Sequence, residues 1–431
     1  MILSLRNNKI IKNYIVTNSN IYFFLLFIIG LPIALLIKEF NNFFFPRVNF
    51  NELIILRVLL VFFTISIFLV NKKKVNFLFL GLLSINIIYL ITQNFGSNLE
   101  FEKNFFEFVR KIGISIDKEI YSSNDLKESS TSFFLDKNKN LLINFFNITL
   151  PLIILSCIEF KLDKKIFKTY LINIVNKSFL FLLIILLIKL FYLKEIHVLS
   201  KFLFFDSSFF LKTNPHLISF ILGYTVILNI FEKKHEIKNK NIIRVIFAFF
   251  FLILISENLH LILTLSTIFI FFLVTKNVHK YKIYLFLFLI LMTTFLIFNF
   301  GNLDYKISGS ILNSLYIRFE IINLILTGSI NFNFLFGNNI FIENIYTYPH
   351  NIFVDIYICT GFVGLFIFIF YLYRLFFIKM KQTFKPNFIN ILFIYNFLFS
   401  LFSGFFFNNI TLNILFAVII IFSIEKEVTI D

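Results

Sequence analysis

The chain has 431 residues, of which 58% are hydrophobic and 15% charged, and a net charge of +16. A soluble domain is about half apolar at most, so a water-soluble enzyme or binding module is excluded. The positive balance does not point to nucleic acid, because the basic residues are gathered in short segments between long apolar runs.

Those runs are bounded by Lys, Asn or Glu. Crossing a bilayer core takes about 20 helical residues. A backbone inside lipid must satisfy its own hydrogen bonds, so the runs read as helices, and short alternating segments of the β-barrel kind are absent. Basic residues Arg6, Lys9 and Lys12 precede a first run at 21–37. No small-residue cleavage site follows it, which predicts a spanning helix rather than a signal peptide. Further spans are predicted at 52–70, 77–95, 141–159, 178–193, 216–231, 242–255, 259–275, 283–299, 351–373, 387–404 and 410–424. The expectation is an all-α, polytopic integral membrane protein with about twelve transmembrane helices. Segments 161–177, 233–244, 276–282 and 374–385 are all rich in Lys or Arg and fall on one face with the N-terminus. The positive-inside pattern makes that face cytoplasmic and places both termini there. The opposite face then holds three longer loops, 96–140, 194–215 and 300–350. The last contains an apolar stretch from Ser310 to Leu326, interrupted by Arg318 and Glu320, which suits a helix lying at the membrane surface.

The 69 Phe residues and the absence of Trp reflect AT-rich codons, and interfacial anchoring falls to Tyr, Lys and Arg. Cys157 and Cys359 lie inside apolar runs and read as small core residues. No phosphate-binding Gly-rich loop, dinucleotide fingerprint or zinc spacing is present, so a nucleotide-driven machine has no support and no cofactor is expected. The most informative stretch is Pro349-His350-Asn351, continuing through Asp355 and Thr360 to Gly361 and Gly364. It sets a His at the outer mouth of a span, and the two glycines would allow close helix packing below it. Each feature also has a plain structural reading. His350 would cap a helix after the Pro349 turn, and Arg318 would snorkel at the interface. His216 and His260 would be ordinary residues at helix mouths rather than metal ligands, so no metal is expected. Glu257, Glu320 and Glu343 would be solvated loop charges. Asp355 shares a helical face with Asn351 and either extends a site or faces a wet cleft.

The order of these segments resembles the O-antigen polymerase and O-antigen ligase family, bacterial membrane proteins that join lipid-linked sugar chains. The matching pieces are Arg318 in an apolar helix, the turn Leu335-Phe336-Gly337, and the pair His350-Asn351 opening a span that carries Gly361 and Gly364. Asn214-Pro215-His216 and Leu263-Thr264-Leu265-Ser266-Thr267 are weaker matches; in the second, Thr267 stands where the family has an Arg. The resemblance covers roughly 200–424. It divides the chain into N-terminal transmembrane helices, 1–199, and a polymerase/ligase-like region, 200–431.

The resemblance implies metal-independent glycosyl transfer at the periplasmic face of the bacterial inner membrane. The donor is a glycan on a polyprenyl diphosphate, and the acceptor is a sugar hydroxyl of a second glycan. His350 and Arg318 are the expected catalytic pair, His350 as base or acceptor-orienting group and Arg318 as grip on the diphosphate. Lys212, Asn351, His216 and Glu320 are expected to bind substrate, with Lys212 supplying the charge that Thr267 lacks. Membrane lipid and a chain-length regulator are further partners of such a protein. Polymerisation of repeat units is favoured over ligation to lipid A core, because two outer loops, 194–215 and 300–350, have room for donor and acceptor. Two other classes compete. A transferase for polyprenyl-monophosphate sugars would use an acid in an outer loop, such as Glu39, Asp117 or Glu119. A flippase or other transporter would move lipid-linked sugar without forming bonds, but it lacks an acidic chain deep in the membrane.

Overall fold

The computed structural model describes residues 2–45, 52–75, 79–96, 141–142, 144–160, 162–192, 215–231, 239–255, 259–274, 280–299, 333–338, 351–373, 388–402 and 406–424. These form twelve α-helices, one for each predicted apolar run. They are α1 (Ile2–Phe44), α2 (Glu52–Val70), α3 (Leu80–Phe95), α4 (Leu150–Ser156, entered through a π-helical turn, Phe145–Thr149), α5 (Lys164–Tyr192) and α6 (Pro215–Phe231). There follow α7 (Asn239–Ile255), α8 (Leu259–Val274), α9 (Lys280–Asn299), α10 (Ile352–Tyr373), α11 (Phe388–Phe402) and α12 (Ile410–Ile424), the last two separated by a 3-10 turn, Phe406–Asn408. The sole β pairing among the described residues is an isolated bridge between Lys73 and Ile158.

Among the described residues, three helices are long and apolar enough to cross a membrane: Val16–Asn42, Lys165–Ile188 and Ile352–Tyr373. Several others are apolar but shorter. Large side chains such as Leu69, Leu273, Leu291 and Phe62 point outward. In water so much exposed apolar surface would drive association; in a bilayer it meets acyl chains. This is the makeup of an all-α membrane protein.

At the centre stands α6, whose residues from Ile218 to Ile230 are all buried, as suits a helix apolar on every side. It packs on α1, α5, α7, α8 and α11. Its polar groups are used locally. Thr225 donates to the Ile221 carbonyl at 2.7 Å, and Asn229 donates to Asn176 of α5 at 2.9 Å. The two expected regions are intermixed: α1 packs on α6 and α12, and α3 packs on α10.

Contacts sort the helix ends into two sets. In one, Asn20 of α1 and Asn71 after α2 exchange amide hydrogen bonds at 3.1 and 2.8 Å. Glu159 N–H donates to Lys72 O at 2.8 Å, tying the end of α4 to the end of α2. The Lys282 ammonium of α9 lies 5.5 Å from the ring of Phe231 at the end of α6. In the other set, Asn41 near the end of α1 donates to Glu52 at the start of α2 at 2.6 Å. Asn144, leading into α4, donates to the Phe407 carbonyl between α11 and α12. Every one of these pairs joins ends that the loop alternation puts on the same face.

Candidate functional site

The run 351–373 is not one straight helix. Phe353 and Phe368 have ring centroids 5.8 Å apart, whereas a straight α-helix would separate residues fifteen positions apart by about 22 Å. The bend is at Gly361, with φ 65° and ψ −164°, a conformation that L side chains avoid. The chain folds back there into two arms, 352–360 and 362–373. The second arm lies antiparallel to α3, with Tyr371 against Gly81 near the start of α3. The first arm returns beside it.

A helix break strands backbone groups, and in lipid they must find partners. Here the segment 333–338 supplies them. Phe362 N–H donates to Phe334 O at 2.8 Å, and Val363 N–H to Leu335 O at 3.2 Å. In return Asn338 N–H donates to Ile358 O at 2.8 Å. The segment is itself a tight turn. The Asn333 carboxamide oxygen accepts from Leu335 and Phe336 N–H, both at 3.2 Å, and Asn333 N–H donates to the Asn338 side-chain oxygen at 2.7 Å. Gly337 has φ 77°, and a Cβ there would come 2.5 Å from Ile358 O. A Cβ on Gly361 would meet the Leu335 carbonyl group. From below, Thr92 of α3 donates to Phe336 O at 3.1 Å and Gln93 donates to Asn338 O at 3.0 Å.

The glycines therefore act differently from the expectation of helix-on-helix packing. Gly361 is an apex, made for a loop to approach. Gly364, in the second arm, lies directly against Thr360 of the first arm. Asn351, at the start of the first arm, sits beside Leu401 of α11, and Phe353 is level with Phe368, below the apex.

Asn351 is half-buried and caps the first arm. Its carboxamide oxygen accepts from Phe353 N–H at 3.1 Å and Val354 N–H at 3.4 Å, and its amide donates to Leu401 O at 3.3 Å. A carboxamide has two N–H donors, and among the described residues one of them is left for a further acceptor. Asp355, one turn on, is buried, and its N–H donates to Asn351 O at 2.8 Å. His350, Arg318, Lys212 and Glu320 lie outside the described residues, as do Glu257 and Glu343. His216 is in the first turn of α6, with its side chain outside the description.

No family model, curated protein or solved structure matches the chain. The arrangement is therefore read on its own geometry. The segment resembling a family's Leu-Phe-Gly turn and the one resembling its Gly-x-x-Gly helix are two halves of one backbone joint. The third piece, Leu263–Thr267, is elsewhere. Thr264 and Thr267 on α8 are fully buried and donate to their own helix, to His260 O and Leu263 O, both at 2.7 Å. His260, in the first turn of α8, is fully buried: its Nδ1 is 2.8 Å from the Tyr395 hydroxyl, and its ring packs on Phe220 and Phe399.

Sequence reasoning missed Thr92 and Gln93. Polar residues near a span end are common, and no local signal says that these two reach a loop about 245 positions away.

Proposed function

We propose that the chain is a membrane glycosyltransferase of the bacterial inner membrane that joins polyprenyl-diphosphate-linked oligosaccharide units into a surface polysaccharide. About twelve crossings with both termini in the cytoplasm suit the positive-inside pattern, and the pairing of helix ends agrees with that alternation. The observation that carries the reading is the joint at Gly361. It unites the turn 333–338 and the helix that follows His350 into one rigid unit, which a shared site built from both segments requires. Discontinuous helices of this kind hold substrate sites in other membrane proteins. The positive end of the first arm faces the point where His350 enters, a favourable place for a diphosphate.

In this reading the acceptor hydroxyl oxygen bonds to the anomeric carbon of the donor as the bond to the diphosphate oxygen breaks. His350 takes the hydroxyl proton, help worth about 10²–10⁴-fold in rate. Arg318, with Lys212, stabilises the charge gathering on the leaving diphosphate. Asn351 holds the arm beside His350 and offers its remaining N–H to substrate, and His216 and Glu320 contact the glycans.

The test is a gel of surface polysaccharide from cells carrying His350→Ala or Arg318→Ala, with membrane levels checked by immunoblot. Both variants should stay in the membrane and reduce long chains to single repeat units. Persistence of long chains in both contradicts the assignment. Loss of activity in Glu39→Gln but not in His350→Ala would favour the monophosphate-sugar class. In a deletion strain, polymer left on the carrier rather than on lipid A would mark the protein as the ligase.

A further inference from the structure

Helices α1 and α2 are antiparallel, and with Ile174 of α5 they enclose a groove of about 380 Å³. It runs from Tyr22 to Ile37 along α1, and fifteen helical residues rise about 22 Å. Its wall is almost wholly apolar, and Ile37 and Leu59 on its rim are exposed to the surrounding medium. Glu52, the first residue of α2, is the one acidic residue lining it among the described residues and is 6% exposed. Asn41 donates to Glu52 Oε1 at 2.6 Å, while Oε2 has no hydrogen-bond partner among the described residues. A buried acceptor left unpaired is costly, and more so if charged. The carboxylate torsion is soft, so a modest turn offers an oxygen to the groove.

We propose that this groove is a phospholipid site that takes one acyl chain and prefers a primary-ammonium headgroup, as in phosphatidylethanolamine. An acyl chain reaching from interface to midplane covers about 15 Å of a 30 Å core, which fits within the groove with the headgroup at Glu52. Charge decides the headgroup. An anionic lipid meets the carboxylate unfavourably, and a choline has no N–H to donate. An ammonium offers charge and three donors. The site is separate from the joint at Gly361 and does not depend on glycan transfer.

The test is native mass spectrometry of the purified protein titrated with phosphatidylethanolamine, phosphatidylcholine or phosphatidylglycerol of identical chains. The wild type should hold phosphatidylethanolamine about tenfold more tightly than phosphatidylcholine, the scale of one hydrogen bond to a charged group. Glu52→Gln should erase most of that preference while still binding lipid. Ala34→Phe, which fills the groove, should lose the tight site for every headgroup; Leu59→Phe serves if the first does not fold, as judged by thermal unfolding. Equal affinities in the wild type, a preference that survives Glu52→Gln, tighter binding of phosphatidylglycerol, or a tight site that persists in the filled variants would each overturn the proposal.

Discussion

Phe362 donates its backbone N–H to the carbonyl of Phe334 at 2.8 Å, and the two rings stack with centroids 5.5 Å apart. A loop residue and a helix residue are thus locked by main chain and side chain together. The lock depends on glycine on both sides, because a Cβ at Gly337 or Gly361 would strike the other segment's backbone. Left-handed backbone costs a non-glycine residue about 1–2 kcal/mol even without a clash. Gly361→Ala and Gly337→Ala should therefore each lower stability by more than about 2 kcal/mol, read as a drop in the thermal midpoint of the purified protein. Gly364→Ala should destabilise as well, since the added Cβ would strike the Cβ of Thr360, which rotation of that side chain does not move.

Thr92 and Gln93 hold the same loop through its carbonyls. Each bond is worth about 1 kcal/mol. Thr92→Val with Gln93→Leu should leave the helices intact and loosen the loop. Hydrogen–deuterium exchange should show faster exchange at the amides of Phe362 and Val363, with α6 unchanged. Unaltered exchange at those amides would mean that α3 does not support the joint.

Asn20 and Asn71 exchange two amide hydrogen bonds in a buried setting. Pairs of this kind in membrane proteins average about 0.6 kcal/mol and reach about 1.7. A double-mutant cycle with Asn20→Leu and Asn71→Leu should give a coupling toward the upper end, about 1–1.7 kcal/mol, because both bonds belong to one pair. A coupling near zero would mean that this pair adds nothing to the α1–α2 contact.

Much of this fold was legible in the sequence. Each apolar run became a helix, and even the close joining of 242–255 to 259–275 appears in α7 and α8. Ends were less legible: α1 extends from Ile2 to Phe44, well past the run at 21–37. The bend in α10 was hidden, for a physical reason. Glycine is frequent in transmembrane helices and usually helical there. Only the approach of Leu335, 26 positions earlier, distinguishes Gly361 as a break. Asn351 was legible as part of a pattern, but its capping bonds and its place beside Leu401 depend on tertiary contacts. Thr267, a local match to a motif, is buried by the packing of its helix, which the sequence alone does not show.

The account depends most on sidedness: the segment that enters α10 must face away from the Lys-rich loops. The direct measurement is labelling of an engineered cysteine at Ile345 in intact spheroplasts with a membrane-impermeant thiol reagent, after Cys157 and Cys359 are replaced by alanine. Lys233→Cys serves as the opposite-face reference. Labelling at 345 and none at 233 until the membrane is opened is the expected result. Labelling at 233 with silence at 345 would invert the topology and separate the proposed site from its lipid-linked substrate.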